Sequence, residues 1–199
     1  MEELKKHAFI FNMIAPIYNR FFKGQVTNYS LILDKYEKML DIPAGGRVLD
    51  IGCGTGAFIS CFAERGYQTV GVDFSAAMLK AARKSTRGKE IEFVQGDATQ
   101  GLNFPSKSFD LVISSYVLHG LSSALRRRIY AEAGRLSRKR ILFYDYNQTR
   151  RWFSDFVEWA EGGDYFGFVR YGEKEMRTIF NNVEQVDVGV QAALYLINI

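Results

Sequence analysis

Short apolar runs rich in β-branched residues alternate along the chain with stretches whose apolar residues recur every three or four positions. The short runs predict five strands, at residues 47–51, 69–73, 91–95, 109–114 and 140–146. The longer-period stretches between them predict amphipathic helices. Strands that alternate with helices in this way indicate an α/β protein built on a parallel sheet.

Capping residues and periodicity place the helices between these strands. The helix after the first strand is expected to end near Gly66, since glycine commonly follows a helix C-terminus. Ser75 is a plausible N-cap for a helix that continues to about Thr86. Apolar residues then mark one face of a further helix, at Leu121, Leu125, Ile129, Ala133 and Leu136.

The two flanks of this alternating region have different patterns. Residues 1–45 are expected to form helices, most clearly at 31–40, and to act as a cap. Residues 150–182 read as helical and rich in aromatic side chains, and the β-like runs 183–190 and 192–199 suit an antiparallel hairpin. We therefore predict one domain over 1–199, with a Rossmann-like, doubly wound, seven-stranded and mostly parallel sheet. Its parts are the cap at 1–45, a core at 46–146, and the helical segment with the hairpin at 147–199.

Composition excludes several classes of protein. The 199 residues are 47% hydrophobic and 24% charged, and the formal net charge of +4 is too small to imply nucleic-acid binding by itself. Two cysteines and two histidines cannot form a disulfide scaffold or a closed zinc site, so no metal is expected. Asn12 and Pro16 interrupt the apolar N-terminal run, and no later run approaches the roughly 20 residues of a membrane span. We expect a cytoplasmic protein with free thiols.

The strongest chemical signal is a run of three alternate glycines, Gly52, Gly54 and Gly56, directly after the first strand. Such a turn is expected to bring bare backbone N–H groups and a helix N-terminus close to a ligand. Read as Gly52-x-Gly54-x-x-Ala57, with Asp73 at the end of the second strand, the segment also fits a dinucleotide fingerprint. Asp73 suits any ribose, so it does not separate a dinucleotide from another nucleoside.

Three further features favour an adenosyl cation over a dinucleotide. Asp50 precedes the glycines, where a carboxylate would repel a pyrophosphate but attract a positively charged ligand. Asp97 follows the third strand and could accept a hydrogen bond from the adenine amine. The C-terminal hairpin is also unusual for a dinucleotide-binding domain. An NAD-dependent oxidoreductase remains the alternative.

These motifs resemble the class I S-adenosylmethionine-dependent methyltransferases of the small methyltransferase-domain type. VLDIGCGTGAF, GVDFSAAML, FVQGDA and FDLVISSYVLHGL are similar to the family's first four motifs, in order. FNMIAPIYNRFF resembles the lead-in of quinone-biosynthesis-type methyltransferases. The resemblance covers about residues 8–146 and implies S-adenosylmethionine as cofactor and S-adenosylhomocysteine as product.

The resemblance also implies a role for each matching residue. The glycine turn and its flanking acids would surround the methionyl and ribose parts, Phe74 and Met78 would sandwich the adenine, and Asp97 with Ala98 would read its edge. Ser114, Ser115 and Tyr116 would line the methyl-transfer mouth, and Tyr18 would close over the cofactor. The implied cofactor-binding residues are Tyr18, Asp50, Gly52, Cys53, Gly54, Gly56, Asp73, Phe74, Met78, Asp97, Ala98, Ser114 and Ser115.

The methyl acceptor is less clearly encoded. His119 is a candidate general base, with Tyr116 as a second catalytic candidate, although His119 could equally pack a helix N-terminus. Tyr146, Asn147 and Trp152 could orient an acceptor, although the first two, with Asp145, also suit a turn. The aromatic stretch from Trp152 to Phe168 could line an apolar pocket or belong to the core.

We predict a small, partly apolar acceptor. The basic clusters 126–128, 138–140 and 150–151 favour a tRNA or other nucleic-acid substrate, but the first cluster fits a solvated outer helix face. A protein that binds S-adenosylmethionine without turnover is a further alternative.

Overall fold

The computed structural model describes residues 2–151 and 163–199, with side chains from residue 21 onward. The chain divides into two compact units, Met1–Asp97 and Ala98–Ile199. The described residues form five α-helices, a short 3-10 helix and seven strands.

The first unit contains three parallel strands, ordered β3-β2-β1, and three helices. The register pairs Asp50 with Gly71, and Asp73 with Gln95. The strand ends of this edge therefore lie close together, as expected for parallel strands. The elements are α1 (Glu2–Leu40), β1 (Arg47–Ile51), α2 (Ala57–Glu64), β2 (Gln68–Asp73), α3 (Ala76–Ser85) and β3 (Ile91–Gln95).

Helix α2 is apolar on nearly all sides because it is covered by α1 as well as by the strands. Its residues 57–62 are all buried. Tyr29 of α1 stacks on Phe58 with ring centroids 4.5 Å apart, and Phe62 meets Phe58 edge-on at 5.4 Å. These rings form the core on that side of the unit.

Helix α1 is longer than the sequence pattern suggests. Several helices were expected before residue 45, and the structure has one continuous helix that passes through Pro16. Its C-terminal half is fixed by Arg65, which bonds the Ser30 carbonyl and forms an ion pair with Asp34. Tyr67 donates to Glu37 at 2.8 Å. The side chain of Tyr18 lies outside the described residues.

The second unit contains the strands in the order β4-β5-β7-β6. Strand β4 runs parallel to β5, whereas β7 is antiparallel to both β5 and β6, as the hairpin prediction required. The elements are β4 (Phe109–Ser115), the 3-10 helix (Leu118–Gly120), α4 (Ser123–Leu136), β5 (Ser137–Tyr146), α5 (Tyr165–Ile179), β6 (Val183–Asp187) and β7 (Ala192–Asn198).

Arg126 joins α4 to α5 and corrects the expectation of an outer, solvated face at this one position of the cluster 126–128, since Arg127 and Arg128 are exposed. Only 1% of Arg126 is exposed. Its guanidinium donates twice to Glu175, at 2.7 and 2.9 Å, and pairs with Asp164 at 3.0 Å. Leucine and isoleucine residues therefore share the inner face of α4 with a fully paired cation.

Both cysteines are buried and belong to the first unit. Burial raises the pKa of Cys53 and raises that of Cys61 to about 11, so both remain neutral thiols near neutral pH. Among the described residues, no three His, Cys, Asp or Glu side chains form a group that could hold a metal ion. Within the same residues, no helix has the length and apolar character needed to cross a membrane.

Candidate functional site

The glycine turn between β1 and α2 requires glycine at all three alternate positions. Gly52, Gly54 and Gly56 have φ angles of 74°, 52° and 80°, a region that L-residues with side chains rarely adopt. A Cβ on Gly56 would lie 3.2 Å from the ring of Phe93, whereas one on Gly54 would meet nothing within 4 Å. The turn is therefore packed at Gly56 and open at Gly54.

The backbone amides of this turn are already used inside the protein, which corrects the expectation of bare N–H groups. Gly52 and Cys53 both donate to the Val72 carbonyl, at 2.8 and 3.0 Å. Gly56 donates to the Cys53 carbonyl at 2.8 Å, and Gly54 donates to Asp73 at 2.9 Å. The glycines set the path of the chain, and these four amides do not form an anion cradle.

Asp50 is the most unusual group in this region. It is fully buried, and neither carboxyl oxygen has a hydrogen-bond partner among the residues that the structure describes. Burial, together with the nearby charge of Asp73, raises the pKa of Asp50 from 3.8 to about 8. The backbone N–H of Ile59 lies outside hydrogen-bonding geometry, and its attraction for the carboxylate cancels only part of the rise in the pKa of Asp50. An orphaned buried carboxyl of this kind calls for a donor or cation from a ligand.

Asp73 lies at the end of β2 and organises the turns on either side of it. Its two oxygens accept the Gly54 and Ser75 N–H groups, each at 2.9 Å. Burial raises the pKa of Asp73, and these two hydrogen bonds oppose that rise. Each oxygen keeps a second lone pair, so the carboxylate can also accept two ribose hydroxyls.

The residues expected around an adenine lie near Asp73 in sequence and differ in exposure. Phe74 is half-buried, and Met78 is buried, with its amide bonded to the N-cap Ser75 at 3.1 Å as predicted. Gly96 donates to the Asp73 carbonyl at 3.1 Å, which holds the half-buried Asp97 near that turn. The burial of Met78 also agrees with ordinary packing of α3.

The end of β4 holds the next set of predicted residues in the second unit. Ser114 is buried, Ser115 is half-buried and Ala98 is buried at the start of the unit. Tyr116 has φ 51°, a strained value for an aromatic residue, and its amide donates to the Tyr144 carbonyl at 2.8 Å. The strained turn directs the chain into the 3-10 helix that carries His119.

His119 and Asp145 form a buried pair at the ends of β4 and β5. The Nδ1 atom of His119 lies 2.7 Å from Oδ1 of Asp145. The other oxygen, Oδ2, accepts the Leu118 amide at 2.9 Å and the His119 amide at 3.4 Å. Asp145 is 1% exposed and His119 is 9% exposed. The sequence indicated His119 as a candidate base but did not pair it with Asp145.

A connected series of aromatic rings begins at the imidazole of this pair. We call them the aromatic cluster: Tyr116, His119, Tyr144, Tyr146, Tyr165 and Phe166. Tyr146 meets His119 and Tyr165 edge-on, with centroids 5.0 Å apart in each case. Tyr144 was not singled out from the sequence, whereas Tyr165 and Phe166 belong to the aromatic stretch that was expected to line an apolar pocket or to belong to the core. Strands β4 and β5 are parallel and end at the same edge of the sheet. That shared edge is the sequence signal that relates Asp145, at the end of β5, to His119, which follows β4.

Asn147 has a structural role in this arrangement. Its side chain donates to Asp187 and to the Val190 carbonyl, both at 3.3 Å, and accepts the Thr149 amide at 2.9 Å. These contacts tie the end of β5 to the β6–β7 connection and favour the turn-forming interpretation over an acceptor contact. Trp152 lies outside the described residues.

Comparison with known proteins identifies the domain that carries the glycine turn. Residues 48–140 match a family described as "Methyltransferase domain". This stretch of the chain is therefore similar to a methyltransferase domain. A demethylmenaquinone methyltransferase of Tropheryma whipplei (strain Twist) is 32% identical to it over 157 residues, which are 74% of this chain and 62% of that protein. The chain thus spans somewhat less than two thirds of that relative's length.

Solved structures share the fold of this chain. A Pyrococcus horikoshii OT3 protein aligns with a TM-score of 0.67 at 24% identity, covering 85% of this chain and 90% of that one. A SAM-dependent methyltransferase from Aquifex aeolicus aligns at 0.60 and 16% identity, covering 83% and 88%. These likenesses confirm the predicted Rossmann-like fold class with its antiparallel C-terminal strands.

Proposed function

We propose that this chain binds S-adenosylmethionine and transfers its methyl group to a small, partly apolar acceptor. The observation that carries the proposal is the buried, unpartnered carboxyl of Asp50. A cationic amino group would supply the missing donor, and its charge would favour the ionised form of Asp50. The match of residues 48–140 to a methyltransferase domain supports the same conclusion.

The chemistry of the glycine turn supports S-adenosylmethionine over a dinucleotide. A pyrophosphate needs backbone N–H donors, and the amides of Gly52, Cys53, Gly54 and Gly56 are occupied. A pyrophosphate would also be repelled by the carboxylate of Asp73 and would supply no donor or cation to Asp50. An adenosyl group carrying a cationic side chain satisfies both acids.

In this proposal the glycine turn and the residues after β2 and β3 bind different parts of S-adenosylmethionine. Asp50 holds the methionyl amino group, Asp73 accepts the ribose hydroxyls, and Gly54 leaves the open space in which the ligand lies. Phe74 and Met78 cover the adenine, and Asp97 accepts from its amine. When bound, S-adenosylmethionine supplies a methyl group activated by a sulfonium, so the protein's work is to orient the acceptor and exclude water.

The aromatic cluster supports a small, partly apolar acceptor. Edge-to-face aromatic rings suit a flat, partly apolar molecule better than a nucleic-acid backbone. The Tropheryma whipplei relative is named for demethylmenaquinone, a quinone, which agrees with this class. We therefore take a reduced naphthoquinone as the first acceptor to test.

Calorimetry tests the cofactor part of the proposal. We expect S-adenosylmethionine and S-adenosylhomocysteine to bind and NADH not to bind. Asp50→Asn should weaken S-adenosylmethionine binding at least about 30-fold, since losing one partner of a buried charge pair costs about 2 kcal/mol or more. Asp110→Asn is the matched control, because Asp110 is also buried but pairs with Arg138 in the second unit.

Turnover is tested by following S-adenosylhomocysteine formation with dithionite-reduced 1,4-naphthoquinone as the acceptor probe. Methylated product and S-adenosylhomocysteine should appear in equal amounts. Binding of NADH with an affinity similar to that of S-adenosylmethionine, or an Asp50→Asn variant that binds S-adenosylmethionine normally, would contradict the proposal.

A further inference from the structure

Asp50 belongs to a row of residues that crosses the three strands of the first unit. The parallel register places Asp50 beside Gly71 of β2, and Gly71 beside Phe93 of β3. Residues paired in this way project from the same face of the sheet, and Asp73, two residues beyond Gly71, shares that face. Asp50 and Asp73 are therefore two acids on one face of neighbouring strands.

The space over Gly71 is filled by groups that carry no charge. A Cβ on Gly71 would lie 2.9 Å from Sγ of Cys53 and 2.9 Å from the ring of Phe93. Burial, with the charges of the two acids, raises the pKa of the Cys53 thiol, which therefore stays neutral. The thiol and the ring cover the bare backbone beside Asp50, and 0% of Asp50 is exposed. Its carboxyl group thus lies in apolar surroundings.

The charges around Asp50 do not compensate for its burial. Among the described residues, Asp73 is the ionisable group whose charge acts on Asp50, and the backbone N–H of Ile59 in α2 opposes the effect only in part. Arg83 of α3 acts instead on the Cys53 thiol, and its guanidinium donates to the Phe93 carbonyl at 2.8 Å. Within this part of the chain, Asp50 faces a second acid and is not paired with a cation.

Hydrogen bonding decides which of the two acids holds a proton. The oxygens of Asp73 accept the N–H groups of Gly54 and Ser75, each at 2.9 Å, and these donors favour its ionised form. Asp50 has no such donor within hydrogen-bonding distance among the described residues. Two acids whose surroundings differ in this way titrate far apart, and Asp50 is the one that stays neutral. Its pKa of about 8 agrees with this assignment.

We propose that the first unit binds S-adenosylmethionine in exchange for a proton, and that Asp50 is the group that releases it. This inference rests on the function proposed above. The ligand's ammonium group, placed against Asp50 directly or through one water, stabilises the carboxylate. The O–H bond of Asp50 breaks, its electron pair stays on the carboxylate, and its proton passes to the solvent. The ammonium group keeps its three protons, and Asp73 stays ionised throughout.

This exchange makes pH a regulator of the donor site. Below pH 7 the ionised form of Asp50 is a minor one, and the apparent affinity for the ligand falls with the fraction of that form. The ligand's ammonium group does not titrate in this range. S-adenosylhomocysteine carries the same amino group, so we expect its Kd to fall about tenfold from pH 6 to pH 7.

Calorimetry at pH 7 in two buffers measures the released proton directly. PIPES and Tris differ in ionisation enthalpy, so the difference between the apparent binding enthalpies gives the number of protons released. We expect about one proton when the wild type binds S-adenosylhomocysteine, and none in Asp50→Asn. Binding of 5′-methylthioadenosine, an adenosyl thioether without the amino-acid group, should release none. Asp110→Asn, in the second unit, is the matched control and should release as many protons as the wild type.

Three results overturn the proposal. One is an equal apparent enthalpy in both buffers for the wild type with S-adenosylhomocysteine. The others are a proton that Asp50→Asn still releases, and a proton that 5′-methylthioadenosine releases from the wild type. If Asp50→Asn does not fold, the buffer comparison and the pH dependence of Kd in the wild type still decide.

Failure of the proposed function gives a different result. A protein to which neither S-adenosylmethionine nor S-adenosylhomocysteine binds lacks the donor site altogether. A protein that binds both, with no proton released and with the same Kd at pH 6 and pH 7, keeps the proposed function and loses only the proton exchange.

Discussion

At the scale of the residue, Asp50 makes the stability of the unliganded protein depend on pH. Its pKa is about 8 in the folded chain, against 3.8 for an ordinary aspartate. Between these values the folded state holds a proton that the unfolded state releases. The unfolded state thus binds fewer protons, and the free energy of unfolding falls as the pH rises, by about 1.4 kcal/mol per pH unit.

Asp50→Asn should remove this part of the slope, because an amide does not titrate. We expect the variant to lose less stability than the wild type between pH 5 and pH 8, although it binds S-adenosylmethionine less well. Urea unfolding of both proteins without ligand measures the difference. Parallel slopes in the two proteins would show that Asp50 is not the titrating group.

At the scale of the element, Gly56 and Gly66 provide a matched pair. Both have φ 80°, but a Cβ at Gly66 meets nothing within 4 Å, whereas one at Gly56 meets Phe93, Thr86 and Ala82 at 3.2–3.4 Å. Gly66→Ala should therefore cost only backbone strain, about 1–2 kcal/mol. Gly56→Ala should cost about 1–3 kcal/mol more because its Cβ also crowds the C-terminal end of α3 and the Phe93 ring of β3. Equal losses in urea unfolding would contradict this packing argument.

The ion pair between α4 and α5 gives a second prediction at this scale. Arg126 holds the pKa of Glu175 below its ordinary value, although burial alone would raise it. Arg126→Met should destabilise the protein by about 3–5 kcal/mol, because Glu175 would be left without its cation in a partly buried place. Arg126→Met with Glu175→Met should recover part of that loss. The exposed neighbour Arg127→Met is the control and should change stability by about 0.5 kcal/mol or less.

How far the sequence predicts these elements depends on the range of the interaction. Strands β1 and β3 match their predicted bounds, and Ser75 caps α3 as predicted, because periodicity and capping are local signals. The burial of Arg126 depends on Glu175, 49 residues away, and was missed. The occupied amides of the glycine turn depend on Val72 and Asp73 in the next strand, which a motif read alone does not show.

At the scale of the whole molecule, the basic clusters are less available to a phosphate backbone than the sequence suggests. Arg126 is paired with Glu175, Arg138 pairs with Asp110 at 2.8 Å, and Arg150 lies over the ring of Phe166. The net charge is only +4. Fewer free cations mean fewer counterions released on binding to nucleic acid.

We therefore expect only weak binding to tRNA with a shallow salt dependence. Filter binding between 50 and 200 mM salt measures this. A steep fall in affinity over that range, of about a thousandfold or more, would indicate many phosphate contacts and would favour the nucleic-acid alternative.

The two buried cysteines make the opening rate of the first unit measurable by thiol labelling. Both belong to the first unit and neither belongs to the second, so an alkylating reagent labels the protein only as fast as the first unit opens. A methyl donor bound at the glycine turn would stabilise the closed form of the first unit, so the labelling would slow as the donor concentration rises. The occupancy of the donor site can then be followed by mass spectrometry on the unmodified protein, with no dye and no engineered residue.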